Sequence, residues 1–211
     1  MLRKRRCMEK IVVAAFACLF SILLTRPVKA SPTGALDHVQ HLLNRVMDIQ
    51  TNPKLAGSAH LAERKKEIKA VLIKNFDTDR MAKDSLGDYW QKLNAKQRAE
   101  FTGIFRDLFQ DSYTRLVLDF LTREEIRYSP AEPTNGEALV KTIILRPYEN
   151  IPVDYLLEKA KTGWSVCDVT IDGVSIVQKY EDAFSRVIQM KSYDVLLDKL
   201  RLQQKAIQAT P

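Results

Sequence analysis

The sequence predicts an α+β fold, in which a curved antiparallel sheet is covered on one face by helices. Apolar residues recur at helical spacing over residues 33–122 and again over residues 174–205. Between these regions, residues 125–171 are rich in β-branched residues, and turn signals divide them into short runs. Because the strands are grouped and do not alternate with helices, the pattern favours α+β over a βαβ architecture. Such a curved sheet forms a cone or half-barrel, a shape that commonly holds an apolar ligand at its open end.

The region before the strands is predicted to contain four helices, and specific residues mark their ends. Asn52-Pro53 ends the first helix. Asp77 or Thr78 is the natural N-cap of the third, and Gly87 closes it. Asn94 caps the fourth. The predicted helices cover residues 33–49, 58–75, 78–87 and 94–122.

The fourth predicted helix carries a wide stripe of large apolar side chains, several of them aromatic. A narrow packing seam needs fewer of them. The stripe therefore predicts a face that covers a large apolar surface. Its members are Phe101, Ile104, Phe105, Leu108, Phe109, Tyr113, Leu116, Val117 and Phe120.

The middle of the chain is predicted to form an antiparallel sheet of four strands. Residues 130–136 form a turn after the first strand, and Pro147 to Asn150 breaks the chain after the second. Asp172-Gly173 is predicted to end the sheet, and two helices over residues 174–190 and 193–205 complete the chain. The predicted strands cover residues 125–128, 137–145, 151–159 and 164–171.

Residues 1–30 are predicted to be a cleavable secretory signal peptide, which leaves residues 31–211 as a single α+β domain. A basic start precedes an uninterrupted apolar run over residues 11–24, and Ala30 offers a small residue at the cleavage point. A permanent membrane anchor is the alternative, but the run is shorter than the roughly 20 residues that cross a bilayer. A second alternative is a lipoprotein cleaved before Cys18, which would leave the following apolar residues without a role.

Removing the signal peptide changes what the composition implies. The whole chain has 33 basic and 26 acidic residues, a balance typical of proteins that bind nucleic acid or membrane surfaces. Seven of these basic residues and one acidic residue lie in residues 1–30, so the remainder carries 26 basic and 25 acidic residues. The prediction is therefore that nucleic acid is not a partner. Cys7 and Cys18 also leave, and Cys167 alone cannot form an internal disulfide.

Catalysis and metal binding need reactive groups that converge, and the sequence offers few. His38 and His41 are spaced for two metal ligands on one helix, but a solvated helix face explains them equally well, and His60 is the one remaining histidine. Cys167 in a strand is predicted to be a buried, inert thiol. Asp168 and Asp172 are expected at a strand end and a turn. We therefore predict a protein that is not an enzyme and has no metal site and no cofactor.

Three segments in this order resemble a known family. The first runs from Phe76-Asp77 to Tyr89-Trp90, and the second from Leu93 to Tyr113. The third is Gly-Trp-Ser-Val-Cys-Asp-Val-Thr-Ile-Asp-Gly-Val-Ser-Ile-Val at residues 163–177, followed by Tyr180 and Phe184. Together they resemble the MlaC-like periplasmic phospholipid-binding proteins of the Mla, or toluene-tolerance, system.

The resemblance implies a periplasmic carrier that shuttles phospholipid between the inner and outer membranes. It implies a cone like that of nuclear transport factor 2, with added helices and with acyl chains between sheet and helices. The implied partners are an inner-membrane ABC transporter with an MCE-domain ring and an outer-membrane lipoprotein–porin complex. Relatives of this family serve hopanoid systems, so another apolar lipid is an alternative cargo.

A carrier of this kind needs an apolar cavity, because two acyl chains expose a large apolar area in water. Ordinary core packing is the alternative interpretation of each proposed wall residue, and a filled core would indicate an exported interaction or assembly factor. The ten residues predicted to bind lipid are Phe105, Phe109, Tyr113, Phe120, Ile144, Val153, Tyr155, Trp164, Val166 and Val169.

Overall fold

The computed structural model describes residues 32–134, 136–161 and 163–209, which form six α-helices and six β-strands. The predicted signal peptide, its cleavage after Ala30 and the alternative site at Cys18 lie outside these residues. The helices are α1 (Pro32–Thr51), α2 (Leu61–Asn75), α3 (Thr78–Asp84), α4 (Ala95–Phe120), α5 (Ile176–Met190) and α6 (Tyr193–Gln208). The strands are β1 (Glu125–Tyr128), β2 (Glu132–Thr134), β3 (Glu137–Leu145), β4 (Asn150–Ala160), β5 (Gly163–Ile171) and β6 (Val174–Ser175).

The helix caps confirm the predicted starts of α3 and α4. Asp77 accepts a hydrogen bond from the Arg80 backbone N–H at 2.9 Å. Asn94 accepts one from the Gln97 N–H while the Gln97 side chain accepts from the Asn94 N–H, both at 3.0 Å, which is a complete capping box. α3 ends at Asp84, before the predicted stop at Gly87. Gly87, with a φ of 51°, instead begins a 3₁₀ segment that runs to Lys92.

The sheet is antiparallel, in the order β1-β3-β4-β5-β6, with β2 also paired to β3. The predicted turn at residues 130–136 is partly wrong, because Glu132–Thr134 forms β2. Pro133 within it lies opposite Ala138, and proline is tolerated in a strand that pairs on one side only.

The predicted end of the sheet at Asp172-Gly173 is also wrong. Asp172 and Gly173 have φ values of 49° and 76°, and two left-handed residues in succession make a two-residue hairpin loop. The loop returns the chain as β6, where Val174 pairs with Ile171. α5 therefore begins at Ile176 and not at Val174.

Alternate residues of β3 and β4 face the helices, as the two-residue period of a strand requires. Val140 pairs with Tyr155 and Thr142 with Val153, and all four are buried. A bulge lies in β5, where Leu157 pairs with Val166 but Leu156 pairs with Asp168. Cys167 is the extra residue, and its neighbour Val166 is buried as well.

The helices lie over one face of the open sheet, which confirms the predicted α+β class. α1 contacts β3 and β5, α2 contacts β5, and α4 contacts α2, α3 and α6. No helix in the described part of the chain is both long enough and apolar enough to span a bilayer.

Candidate functional site

An apolar cavity of about 200 Å³ lies between three helices and the helix-facing side of the sheet. None of the residues that line it is charged. The lining residues of this main cavity are Leu42, Leu43, Val46, Leu72, Phe76, Tyr113, Leu116, Val117, Phe120, Leu121, Ile144, Ile151, Val153, Tyr155 and Ile171.

Strand pairing places the sheet side of the main cavity. Ile144 lies opposite Ile151 on the neighbouring strand, and Val153 lies opposite Ile171 on the next. Each pair therefore brings two apolar side chains to the same face of the sheet. Tyr155, two residues after Val153 on β4, extends this wall.

The helix side comes from α1, α2 and the C-terminal half of α4. Leu42, Leu43 and Val46 share one side of α1, because residues three and four apart are neighbours on a helix. On α4, Tyr113, Val117 and Phe120 follow the same spacing. The two stripes face each other across the main cavity.

Phe120 marks the place where the main cavity approaches the surface. Its side chain lines the cavity and is 48% exposed. The Arg146 guanidinium lies 5.5 Å from the centre of the Phe120 ring and donates a hydrogen bond to the Phe120 carbonyl oxygen. Arg146 also lies 3.6 Å from the Glu124 carboxylate. A cation–π contact and an ion pair therefore hold this rim in place.

The tyrosines of the main cavity provide its polar groups, and they are neutral. Burial raises the pKa of Tyr113, its hydrogen bond with Tyr155 lowers it by less, and the nearby charge of Asp168 raises it further. Burial also raises the pKa of Tyr155 well above its usual value, and Tyr113 and Tyr128 raise it further. Thr142 donates its hydroxyl to the Val153 carbonyl at 2.7 Å. The arrangement is suited to an apolar ligand and contains no reactive pair.

Five of the ten residues that the sequence indicated line the main cavity, and five do not. Tyr113, Phe120, Ile144, Val153 and Tyr155 line it.

Phe105 and Phe109 lie on another side of α4, in a small cavity of about 60 Å³ that also contacts Tyr180 and Phe184 of α5. Val166 and Val169 are fully buried, and Trp164 is half-buried beside Gly34. A role of these five residues in binding lipid stays a prediction.

Sequence reasoning missed the contribution of α1 and α2. Leu43 and Val46 are apolar at helical spacing, and so is Leu72, but this spacing does not say which surface a helix covers. Ile151 and Ile171 alternate within strands, and they too could have been taken for the sheet side of the main cavity. The full set of missed residues is Leu42, Leu43, Val46, Leu72, Phe76, Leu116, Val117, Leu121, Ile151 and Ile171.

The reactive residues do not converge within the described part of the chain. His60 lies 3.5 Å from Glu63 and is exposed, while His38 and His41 lie together on α1. Cys167 is buried, as predicted, and burial raises its pKa to about 12. Among the described residues, no group of three or more His, Cys, Asp or Glu is placed to hold a metal ion.

Comparisons with known proteins agree with this geometry. The sequence model of the family described as "MlaC protein" matches residues 40–202, more than half of the chain. The chain is similar in structure to the phospholipid-binding protein from Ralstonia solanacearum, solved in complex with a phospholipid, with a TM-score of 0.68 and 21% identity. The match covers 81% of this chain and 98% of that one, and at this identity it shows the shared fold. A search of the curated proteins gives no match.

Proposed function

The chain belongs to the MlaC family, and on that premise we propose that it is a carrier that binds the acyl chains of a phospholipid in the main cavity. The observation that carries the proposal is the cavity itself, whose walls are apolar and uncharged. The structural relative from Ralstonia solanacearum was solved with a phospholipid, which supports this class of cargo.

Burial of the acyl chains supplies the binding energy. Each methylene group removed from water contributes about 0.8 kcal/mol. Because no charged residue lines the main cavity, binding of the acyl chains does not remove water from a charged group. A carrier must also release its cargo, and few polar anchors make that release easier.

The proposal is a binding protein and not an enzyme. Catalysis would need a nucleophile, acid or base aimed at the bound molecule. The tyrosine hydroxyls of the main cavity are held neutral by burial, and Cys167 is buried outside it. Both observations support passive binding.

The signal peptide predicted over residues 1–30 directs export of the carrier to the periplasm. We propose that residues 31–211 act there as a single domain and shuttle lipid between the inner and outer membranes. An inner-membrane ABC transporter with an MCE-domain ring and an outer-membrane lipoprotein–porin complex are the proposed partners. Passive binding in the main cavity does not drive transport, so the ABC transporter is the proposed source of the energy.

Lipid extraction tests the proposal directly. Protein purified from its native host is extracted with organic solvent, and the extract is analysed by mass spectrometry. We expect phospholipid in about equimolar amount, and uptake of phospholipid from liposomes by the stripped protein. A protein that carries no lipid and takes up none would indicate the alternative, an exported interaction or assembly factor. A hopanoid or other apolar lipid in the extract would change the identity of the proposed cargo but would still support a lipid carrier.

A further inference from the structure

A polar groove lies on the outer side of the contact between α1 and α2, next to the main cavity. This α1–α2 groove has a volume of about 470 Å³. It is lined by His38, His41, Leu42, Arg45, Glu67, Ala70, Val71, Lys74 and Asn75.

Cationic and hydrogen-bonding side chains dominate the α1–α2 groove. His38, His41 and Arg45 are placed about one turn apart on α1, and Lys74 faces them from α2. Glu67 is the one acidic residue in the lining, and Arg45 pairs with it at 3.0 Å. Lys74 has no salt-bridge partner among the described residues, so its charge is not balanced within the groove.

His38 is the second observation that points to an anionic ligand. Its Nε2 atom is buried and has no hydrogen-bond partner within the described chain, which is costly for a buried polar group. Burial lowers the pKa of His38, a hydrogen bond between its ring and the Asn75 backbone raises it, and the charges of His41 and Lys74 lower it further. An anion among these groups favours the protonated imidazole, whose Nε2–H then donates to the anion, and it balances the charge of Lys74.

The position of the α1–α2 groove identifies which anion it suits. Leu42 lines both the groove and the main cavity, so one side chain separates them. Val71 of the groove is likewise followed by Leu72 of the cavity. A phospholipid joins its phosphate to its acyl chains through a single glycerol unit, so its two parts must occupy adjacent sites of opposite character.

We propose that the α1–α2 groove binds the phosphate group of the lipid head group, with Lys74 and His38 as hydrogen-bond donors. The inference rests on the proposed function, since it needs the acyl chains in the main cavity. Ammonium and imidazole N–H groups form short, charge-assisted hydrogen bonds to phosphate oxygens. Arg45 is paired with Glu67, so its charge is already balanced within the groove.

The test compares three probes that share parts of the ligand: dioctanoyl phosphatidylglycerol, dioctanoylglycerol and inorganic phosphate. Binding to the purified protein is measured for the unchanged chain, for Lys74→Gln and for His38→Gln combined with Lys74→Gln. Lys66→Gln is the matched control, because Lys66 is an exposed lysine of α2 outside the groove. Circular dichroism confirms that each variant folds.

We expect the unchanged protein to bind phosphatidylglycerol at least about tenfold more tightly than dioctanoylglycerol. Both groove variants should lose this preference and keep the affinity for dioctanoylglycerol, while Lys66→Gln should keep both. NMR titration of the imidazole should show that phosphatidylglycerol raises the pKa of His38 and dioctanoylglycerol does not.

Each of the other outcomes overturns either the inference about the head group or the proposed function. Groove variants that bind phosphatidylglycerol as tightly as the unchanged protein would overturn the inference and leave the carrier standing. A shift of His38 with inorganic phosphate but not with phosphatidylglycerol would assign the groove to free phosphate and overturn its assignment to the head group. Failure to bind either lipid would overturn the proposed function, and the inference with it.

Discussion

The Asp168 carboxylate joins the sheet to the start of α5. One oxygen accepts from the Val169 and Val177 backbone N–H groups at 2.8 and 3.1 Å, and the other accepts from the Ser175 hydroxyl at 2.5 Å. Ser175 is itself the N-cap of α5 and accepts from the Gln178 N–H. A carboxylate at a helix N-terminus also interacts favourably with the helix dipole.

Asp168→Ala should lower the free energy of unfolding by about 3 kcal/mol, because it leaves buried donors without an acceptor. Ser175→Ala should cost about 1 kcal/mol, the usual cost of a lost N-cap. Urea denaturation followed by circular dichroism measures both. Asp172→Asn is the control, since asparagine accepts the left-handed backbone at that position and stability should be unchanged. Equal stability of Asp168→Ala and the control would show that the network contributes nothing.

The Cys167 thiol is predicted to be inert at neutral pH and to make the fold sensitive to alkali. Burial raises its pKa to about 12, Arg80 lowers it, and Glu137, Glu158 and Asp168 raise it. The unfolded thiol has a pKa of about 8.5. Between these values the folded state keeps its proton and the unfolded state loses it, so stability should fall as pH rises from about 9 to 12.

Thiol titration at pH 8 checks the first part: Cys167 should react with a disulfide reagent in guanidinium chloride and not in buffer. Comparison of unfolding at pH 8 and pH 10 checks the second. Cys167→Ser serves as the reference, and its stability should fall less over this range. A thiol that reacts rapidly in the folded protein would contradict the burial.

At the scale of elements, α4 shows why only half of the residues predicted from the sequence line the main cavity. Its apolar stripe is real, and the aromatic rings of Phe101, Phe105, Phe109 and Tyr113 stack along it with centres 5.4–6.1 Å apart. The N-terminal half of the stripe packs against Phe184 and Tyr193 of α5 and α6, whereas the C-terminal half faces the main cavity. Spacing locates an apolar face, but the partner of that face is set by the tertiary fold.

The strands also show that sequence patterns predict some elements but not those that depend on the tertiary fold. β3, β4 and β5 follow from β-branched runs between turn residues, and their bounds differ from the prediction by one residue or less. β2 and β6 have three and two residues, and their pairing depends on β3 and β5 and not on their own composition. The sequence predicts the turn at Asp172-Gly173, but whether a strand follows the turn depends on the tertiary path of the chain.

Gln50 of α1 closes the C-terminal end of α4. Its Nε2 atom donates to the carbonyl oxygens of Val117, Leu118 and Leu121 at 3.4, 3.1 and 3.0 Å. The Val117 carbonyl also accepts from the Leu121 backbone N–H, but the last carbonyls of a helix have no partner within it, and this side chain supplies one to Leu118.

Gln50→Leu, which keeps the shape of the side chain, should lower the free energy of unfolding by about 1–2 kcal/mol. It should also speed amide hydrogen exchange in the last turn of α4. Gln40→Leu, earlier on the same helix, is the matched control. Unchanged exchange at residues 117–121 in Gln50→Leu would show that α4 does not depend on this contact.

At the scale of the molecule, the main cavity is smaller than the ligand proposed for it. About 200 Å³ lies below the roughly 300–1,000 Å³ of ordinary ligand pockets, so two acyl chains require its walls to move. The sheet wall is held by the continuous pairing of β3 and β4. Across the α1–α2 groove, the exposed Arg45–Glu67 ion pair contributes little stability. We therefore expect α1 and α2 to move outward from the sheet while the sheet stays fixed.

The location of the acyl chains is the central claim, and a photoactivatable phospholipid tests it most directly. A phospholipid with a diazirine near the end of one acyl chain is loaded into the protein and irradiated, and mass spectrometry identifies the labelled residues. Label should appear on main-cavity residues such as Leu43, Val46, Val117 and Ile144. Label confined to the small cavity at Phe105, Leu108 and Leu200, or to exposed residues alone, would contradict the account.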